Sequence, residues 1–383
     1  MKRIPILLNR ILSLVLAWGL VSTVAFDASG QQHAHHHADR VINFPDIPSY
    51  VTLKTDLHIH TVFSDGKVWP DIRVEEAVRD GLDAIAITDH LEYQPHAEDI
   101  PHPDRNRSFN IAAGDAEGGE MLVINGSEVT RSMPPGHSNA IFIEDANLLL
   151  QDDPMDVFRE ARRQDAFIFW NHPHWTAQVP SGHATLTEMH RQLIDEGLLN
   201  GIEVVNEQSY SDEALQIALD NDLTIMGTSD VHGLIDWMYD VPHGHRPVTL
   251  VFATERTDDA LKDALMERRT AVWFDDMLIG REEWVVPLIM ASLEVDSAAY
   301  QGESSVLDVF ISNASDAEFV LDNRGDFGFH AHGDLVRIAP NGITRLQVKT
   351  VDRLDALALP FDVLNAVTAP NVHPDITLEV TVE

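Results

Sequence analysis

The sequence predicts an α/β fold in which βα units form a closed or nearly closed barrel, followed by a small all-β domain. Between residues 50 and 286, apolar strand-like runs alternate with helix-like stretches, a pattern typical of βα units around a parallel sheet. From residue 287 onward the hydrophobic period shortens towards two, and turn sequences such as Pro340-Asn341-Gly342 separate the runs. The chain has 383 residues, which is enough for both domains.

Eight apolar runs in the first domain are predicted to be strands, and helix-start signals or helical periodicity lie between them. The predicted strands are Thr52–Ile59, Ala84–Thr88, Met121–Ile124, Ser138–Ile143, Ala166–Trp170, Gly201–Val205, Leu223–Gly227 and Val248–Phe252. The predicted helices span residues 70–79, 153–163, 185–194 and 211–219. Alternating runs at residues 291–295, 307–311, 345–348 and 376–382 predict a β-sandwich-like second domain, residues 287–383.

The N-terminal residues 1–30 are typical of a signal peptide, with basic residues first, an apolar core and then small residues. Cleavage is expected after Ala25 or after Gly30, and an uncleaved membrane anchor is the alternative. We therefore expect a periplasmic or secreted protein. Residues 31–49 form a His-rich linker, whose tract from His33 to His37 either captures metal or is a polar leader into the domain.

The composition excludes several classes of protein. Lys and Arg total 26 against 62 Asp and Glu, which gives a net charge of −36. A nucleic-acid-binding protein needs clustered cations, and so does stable adsorption to an anionic membrane after signal cleavage. Cysteine is absent, so no disulfide can form. The expected partner is a small molecule, while the oligomeric state stays open.

Histidines and carboxylates recur where the predicted strands end. His58 and His60 are two residues apart on one strand, so both side chains point to the same face. The other candidates are Asp65 in the next loop, His90, Glu128, His172, Asp230 and His232 after later strands, and His137 in a loop that leads into a strand. Any one of them has an ordinary explanation as a surface or core residue. Pooled at one end of a barrel, they are the ligands that divalent metals require.

The motifs DLHIHTVFSDG, AITDH, GSE, GHSN, NHP and SDVH, in this order, resemble those of the PHP (polymerase and histidinol phosphatase) superfamily. The resemblance covers about residues 50–274 and implies a distorted (β/α)7-type barrel with three divalent ions, of manganese, zinc or iron. Carried over by position, it implies three ligand sets. They are His58, His60, Glu128 and Asp230 for the first ion, Glu128, His137 and His172 for the second, and Asp65, His90 and His232 for the third.

The texts ITDHLEY and GSEVTR look more particularly like exported PHP phosphodiesterases that act on organophosphate diesters. We expect metal-assisted hydrolysis, in which a water activated between two ions attacks phosphorus. Arg131, Asp65 and His232 are the expected catalytic residues, Arg131 because it follows the Glu128 strand closely and is positively charged. A phosphomonoesterase, a carboxyl-ester or carbamate hydrolase, and a non-catalytic binding module remain as alternatives.

Overall fold

A computed structural model describes residues 41–240, 244–331 and 333–383 of the protein. The predicted signal peptide, its cleavage site and the tract from His33 to His37 lie outside the described residues. Within the described ranges, no helix is both long enough and apolar enough to span a bilayer.

The region from residue 41 to residue 292, called the barrel region below, alternates strands and helices. Its strands are β1 (Val51–Ile59), β2 (Ala84–Ile87), β3 (Leu122–Val129), β4 (Ser138–Ile141), β5 (Phe167–Trp170), β6 (Gly201–Asn206), β7 (Ser209–Tyr210), β8 (Thr224–Thr228), β9 (Val248–Ala253), β10 (Thr270–Phe274) and β11 (Met277–Gly280). Its helices are α1 (Pro70–Arg79), α2 (Arg107–Asp115), α3 (Pro154–Arg163), α4 (Glu188–Asp195), α5 (Asp212–Asp220), α6 (Ile235–Met238), α7 (Asp258–Met266) and α8 (Glu282–Ser292), with a 3-10 turn at Ala146–Leu149.

Local sequence explains where several helices begin. Proline stands at the first position of α1 and α3, where its missing N–H leaves no donor unsatisfied. The side chains of Asp153, Thr187, Ser211 and Thr257 accept hydrogen bonds from backbone N–H groups in the first turns of α3, α4, α5 and α7. The four helices predicted from sequence are therefore present, within three residues of the expected ends.

The strands of the barrel region form one curled sheet in the order β11-β10-β9-β1-β2-β3-β4-β5-β6-β7, with β8 paired to β6. The pairs β1–β2, β2–β3, β5–β6 and β6–β8 are parallel. Strand β4 runs antiparallel to both β3 and β5, and β9 runs antiparallel to β1. The purely parallel sheet suggested by the βα pattern is thus interrupted at β4 and at β9, and β7, β10 and β11 add further antiparallel pairs, which makes the barrel distorted.

The curled sheet closes where β8 approaches β1 and β9. Gly227 donates its N–H to the hydroxyl of Thr249 at 2.9 Å, and that hydroxyl in turn donates to the Gly227 carbonyl at 2.8 Å. A Cβ atom at Gly227 would lie 2.2 Å from Val272, so only glycine permits this approach. Beyond the strands, the His60 N–H donates to the Val231 carbonyl at 3.2 Å. Side-chain and single backbone contacts therefore replace a regular ladder at the closure.

Residues 41–49, which the sequence assigns to the linker, pack against the barrel region. Ile42, Phe44 and Ile47 are buried, and the Phe44 ring meets that of Trp273 edge to face at 5.1 Å.

At the other end of the barrel region, the predicted domain boundary at residue 287 falls inside α8, where Pro287 lies. The first strand after this helix begins at Leu293.

The C-terminal β region, residues 293–383, contains two small antiparallel sheets. Its strands are β12 (Leu293–Tyr300), β13 (Val306–Asn313), β14 (Phe319–Asn323), β15 (Leu335–Ile338), β16 (Ile343–Lys349), β17 (Ala356–Val363), β18 (Ala366–Val367) and β19 (Asp375–Thr381). One sheet has the order β12-β13-β16 and the other β15-β14-β17-β19, while β18 pairs in parallel with β11 of the large sheet. Buried side chains of this region and of α8 belong to one continuous hydrophobic cluster. The predicted α/β barrel with an all-β C-terminal part is confirmed.

Candidate metal centre

The topology brings the predicted metal ligands to one end of the barrel. His58 lies on β1 and Glu128 on β3, and the others follow or precede strands. His60 and Asp65 follow β1, His90 follows β2, His172 follows β5, Asp230 and His232 follow β8, and His137 directly precedes β4. Because β4 is antiparallel to its neighbours, its beginning lies at the end where β3 and β5 finish. The antiparallel direction of β4 therefore explains why His137, in a loop that leads into a strand, lies with ligands that follow strands.

The first group of ligands converges on a single point. The Nε2 atoms of His58 and His60 are 3.0 Å apart, and they lie 3.2 Å and 3.0 Å from Oδ1 of Asp230. Each Nε2 atom is also 3.6 Å from a carboxylate oxygen of Glu128. Two imidazole nitrogens and a carboxylate oxygen that lie this close together are suited to ligate one divalent cation.

Glu128 joins this group to a second one. Its Oε1 atom is 3.0 Å from Nδ1 of His137 and 3.3 Å from Nε2 of His172. The side-chain amide of Asn171 also donates to Oε1 at 2.9 Å. The Glu128 carboxylate therefore lies between two sets of histidine nitrogens, as a ligand that bridges two ions must.

The third group lies nearer to solvent. Oδ1 of Asp65 is 3.2 Å from Nε2 of His232, 3.5 Å from Nε2 of His90 and 3.9 Å from Nδ1 of His60. The Nδ1 atom of His90 is 2.5 Å from Oε2 of Glu128, so the third group is continuous with the other two. Asp65 and His232 are 28% and 30% exposed, whereas the other predicted ligands are nearly buried.

The residues fit divalent cations. Oδ1 of Asp65, Oε2 of Glu128 and Oδ1 of Asp230 are buried and accept no well-directed hydrogen bond from the described residues. A buried carboxylate oxygen without such a bond is costly, and a cation removes that cost. Mixed imidazole and carboxylate donors suit zinc, manganese and iron. The cavity over these groups has a volume of about 170 Å³, and Trp175, Asn206 and Glu207 complete its wall.

Electrostatics keep two carboxylates of the cluster ionised and one of its histidines neutral. Burial alone would raise the pKa of Glu128, but His90 and His58 hold it well below its usual value. Burial likewise opposes ionisation of Asp230, and His58 with His60 lowers its pKa. Burial, together with the neighbouring His232 and His90, lowers the pKa of His60 to about 4. Ionised carboxylates and a neutral imidazole are the forms that ligate a metal.

Glu203, a fully buried carboxylate on β6 that orients two predicted ligands, is not among the site residues predicted from sequence. Its Oε1 atom accepts from Nδ1 of His58 at 2.8 Å and from the Thr228 hydroxyl at 2.6 Å. Its Oε2 atom accepts from the N–H of His172 at 2.6 Å and from Asn206 at 2.9 Å. A carboxylate behind a ligating histidine fixes its tautomer and ring orientation. A lone Glu inside the apolar run Gly201–Val205 was the signal that could have revealed it.

Asp89, in the AITDH motif, has a similar orienting role on the opposite side of the cluster. Its carboxylate accepts from the N–H and hydroxyl of Thr61 at 2.7 Å and 2.6 Å. It also accepts from the Ser64 hydroxyl at 2.6 Å, and that hydroxyl lies 3.3 Å from Nδ1 of His60. The loop after β1 is thus fastened between His60 and Asp65.

The backbone at two predicted ligands is strained. His172 and Asp230 have φ angles of +30° and +48°, a left-handed region that residues other than glycine seldom occupy. Such strain persists only where the surrounding structure imposes it, and it clusters at functional sites. At His172, the bond from its N–H to Glu203 is one such constraint.

The structure does not bring Arg131 into the cluster. Its Nε atom pairs with Glu92 at 2.8 Å, and its guanidinium also donates to the carbonyls of Gln151 and Asp152. The Arg131 side chain is absent from the cavity wall. These contacts do not support the catalytic role expected from sequence. The expectation rested on the closeness of Arg131 to Glu128 along the chain, which does not determine where the side chain points. The other predicted site residues are brought together, and their roles as ligands remain predictions.

Parts of the chain match two known protein families. A family model described as a PHP domain matches residues 56–131, and one described as an Ig-like domain matches residues 293–379. A search of curated proteins found no match. Two solved structures resemble the chain weakly: a candidate metal-dependent phosphoesterase from Bifidobacterium adolescentis (17% identity, 58% of this chain and 98% of that one, TM-score 0.38) and PsfC from Pseudomonas syringae (18%, 63% and 96%, TM-score 0.43).

A third solved structure is far more similar. It is a two-domain protein from Bacteroides vulgatus that contains a predicted PHP-like metal-dependent phosphoesterase. The identity is 40%, the match covers 89% of this chain and 98% of that one, and the TM-score is 0.83. Similarity at this level extends through the barrel region and the C-terminal β region together. The chain belongs to the PHP family.

Proposed function

We propose that this protein is a metal-dependent phosphoesterase that hydrolyses small organic phosphodiesters. The observation that carries the proposal is the cavity whose wall combines imidazole and carboxylate groups arranged for divalent cations. Similarity to the Bacteroides vulgatus protein supports the phosphoesterase part. The preference for diesters rests on the charge of the cavity wall.

Three divalent ions of manganese, zinc or iron are proposed as cofactors. His58, His60, Glu128 and Asp230 would hold the first. Glu128, His137 and His172 would hold the second, and Asp65, His90 and His232 the third. Bound ions of this kind lower the pKa of a coordinated water and neutralise charge on phosphoryl oxygens. Glu203 and Asp89 contribute by fixing the histidines, so that the site needs little rearrangement during the reaction.

Asp65 and His232 are the proposed catalytic residues of the chain. They are the most exposed members of the predicted ligand set and lie next to each other at the solvent side. The Nδ1 atom of His232 is 2.8 Å from the Asp230 carbonyl, which directs its Nε2 atom towards Asp65 and the cavity. A substrate that enters the cavity meets this pair first. Arg131 is left out of the proposal because Glu92 already neutralises it.

Apart from the proposed ions, the side chains of the cavity wall favour a monoanionic diester over a dianionic monoester. Among the described residues, neither Lys nor Arg lines the cavity, whereas Glu207 does. A monoester carries a second negative charge and generally needs further cationic side chains. A diester replaces that charge with an organic substituent, which the half-exposed indole of Trp175 can contact.

Export to the periplasm or beyond is part of the proposal, supported by the basic and then apolar N-terminal residues 1–30. The net charge of −36 favours a small substrate over nucleic acid, because long polyanions are repelled.

The test compares hydrolysis of bis(p-nitrophenyl) phosphate, p-nitrophenyl phosphate and p-nitrophenyl acetate by protein reconstituted with manganese or zinc. We expect the diester to be the best substrate, with about three ions per chain by elemental analysis. The double variant His58→Ala, His60→Ala should lose turnover and metal. His183→Ala, which changes an exposed histidine outside the cavity, serves as the control. A preference for the monoester or the acetate would overturn the substrate class. Absence of metal-dependent turnover on all three would overturn the enzymatic proposal.

A further inference from the structure

Glu207 is a cavity residue with no structural task of its own. It follows β6, and its carboxylate makes no hydrogen bond or ion pair with any described residue, although it lies on the cavity wall beside Asn206. Its backbone is held in the left-handed region, with φ at +51°. The Glu207 N–H donates to the Thr228 carbonyl at 3.2 Å, which ties the turn to β8. A strained turn thus holds a free carboxylate towards the space above the metal ligands.

Trp175 supplies an aromatic surface in the same cavity. Its indole is 45% exposed, and its ring lies 5.2 Å from that of His172 and 5.8 Å from that of His137. The segment after β5 that carries Trp175 is joined to the turn after Glu207, because Nε2 of His174 lies 2.8 Å from the Ser209 hydroxyl. The indole and the carboxylate therefore lie on connected segments of one wall.

A carboxylate and an indole in one cavity, without a competing Lys or Arg on the described wall, match an organic cation. A quaternary or primary ammonium group is attracted by the face of an indole and by an unpaired carboxylate. The strongly acidic protein, with a net charge of −36, attracts such a group further. A neutral substituent gains only the contact with the indole.

We propose that the preferred substrates are phosphodiesters in which one alcohol carries an ammonium group, recognised by Glu207 and Trp175. This inference rests on the phosphodiesterase proposal and adds the identity of the substituent. The phosphoryl group would occupy the metal centre, and the ammonium group would lie at the wall formed by these two side chains.

The test uses two esters with the same leaving group. One is p-nitrophenyl phosphorylcholine, and the other is p-nitrophenyl 3,3-dimethylbutyl phosphate, whose substituent has the shape of choline without the charge. We expect kcat/KM to favour the choline ester by about tenfold, the combined size of one ion pair and one cation–π contact. Glu207→Gln and Trp175→Leu should each reduce this ratio to about threefold, because each variant removes one of the two contacts. Glu294→Gln, which changes an exposed carboxylate of the C-terminal β region, should keep the ratio of the natural chain.

The outcomes separate this inference from the function beneath it. Hydrolysis of neither ester would contradict the phosphodiesterase proposal itself, and the ammonium preference with it. Equal hydrolysis of both esters by the unmodified protein would overturn only the ammonium preference. Two results for Glu207→Gln would also overturn it. One is an equal loss on both esters, which would indicate a role in the chemical step, and the other is a loss of bound metal by elemental analysis, which would make Glu207 a ligand.

Discussion

The barrel region and the C-terminal β region bury different kinds of side chain. In the barrel region, ionisable groups are buried at many positions, among them Asp56, His58, His60, Asp89, Glu128, Glu203 and Asp230. Between residues 293 and 383, the buried polar side chains that the structure describes are Asn313, Ser315, Thr350 and Thr368, none of which is ionisable. Folding of the barrel region therefore has to compensate the cost of burying ionisable groups, whereas the described part of the C-terminal β region buries none.

The strands show the same contrast. Strands β13, β17 and β19 alternate between buried and more exposed positions, as strands with one solvated face do. Strands β1 and β6 are buried along almost their entire length, on both faces. In the C-terminal β region, apolar side chains on the buried faces of the sheets pack into one hydrophobic cluster. In the barrel region, charges that are costly to bury persist because partners and, in the proposed function, metal ions compensate them.

The largest expected effect comes from removing the charge of Glu128. The variant Glu128→Gln should lower kcat/KM on bis(p-nitrophenyl) phosphate by about a thousandfold, because the proposed bridging ligand loses one oxygen and its charge. Steady-state kinetics with matched metal content checks this prediction. The control is Glu282→Gln, an acidic residue in the first turn of α8 and outside the cavity. A loss below tenfold would show that Glu128 is not a ligand that the reaction requires.

In the C-terminal β region, the largest effect should appear in stability and leave the chemistry intact. Phe361 on β17 is fully buried, with its ring 6.4 Å from that of Phe329. The variant Phe361→Ala should lower the free energy of unfolding by roughly 3–5 kcal/mol, as large-to-small core substitutions do. Urea denaturation measures the loss, and Phe361→Leu should cost less. A fall in kcat of the folded, metal-loaded variant would indicate that this region contributes to the reaction, contrary to the division of roles between the two regions.

The contrast also explains what could be predicted from sequence. Strands such as 84–88 and 201–205 were located within a few residues, because apolar runs bounded by polar ends are typical of buried strands. The positions of the predicted ligands followed from the same boundaries. Most of the motifs join an apolar run to a polar end, and the barrel topology brings these ends together. His137, which precedes its strand, reaches the same end because β4 is antiparallel to its neighbours.

The direction of strand pairing and the contacts behind the predicted metal ligands could not be predicted in this way. The antiparallel direction of β9 depends on tertiary packing, because its sequence is an apolar run like that of a parallel strand. Glu203 was hidden inside such a run, and its importance becomes visible only when four donors surround it. Arg131, in contrast, was predicted to act in the site because it is close to Glu128 in sequence, but its guanidinium pairs with Glu92.

A histidine outside the metal centre should make the barrel region sensitive to acid. His190 is buried against Trp170, with ring centroids 3.9 Å apart. Its Nε2 atom donates to the Pro135 carbonyl, while its Nδ1 atom accepts from the Thr187 N–H, an arrangement that only the neutral ring satisfies. Burial, with a smaller contribution from Arg191, lowers the pKa of His190 to about 4.

Because the folded-state pKa lies below the unfolded value of about 6.5, the unfolded chain takes up the proton first as the pH falls. Stability linked to His190 is therefore complete above pH 6.5 and is lost between about pH 6.5 and pH 4. From pH 7 to pH 5, the free energy of unfolding should fall by roughly 2 kcal/mol more in the natural protein than in His190→Gln. Urea titrations at both pH values check this difference. Equal losses in the two proteins would show that His190 is not the responsible group.

The smallest expected effect comes from changing Glu203, which orients His58 and His172. In Glu203→Gln, the amide NH2 cannot accept the bonds that one carboxylate oxygen now receives from the His172 N–H and Asn206. We expect metal affinity to fall by about tenfold, typical of a changed partner behind a ligating histidine. Activity measured against free metal concentration separates this role from catalysis, because excess metal should restore most of the kcat. A loss of kcat that persists at saturating metal would mean that Glu203 acts on the reaction itself, and the buried charges of the barrel region would then have a second use besides holding ions.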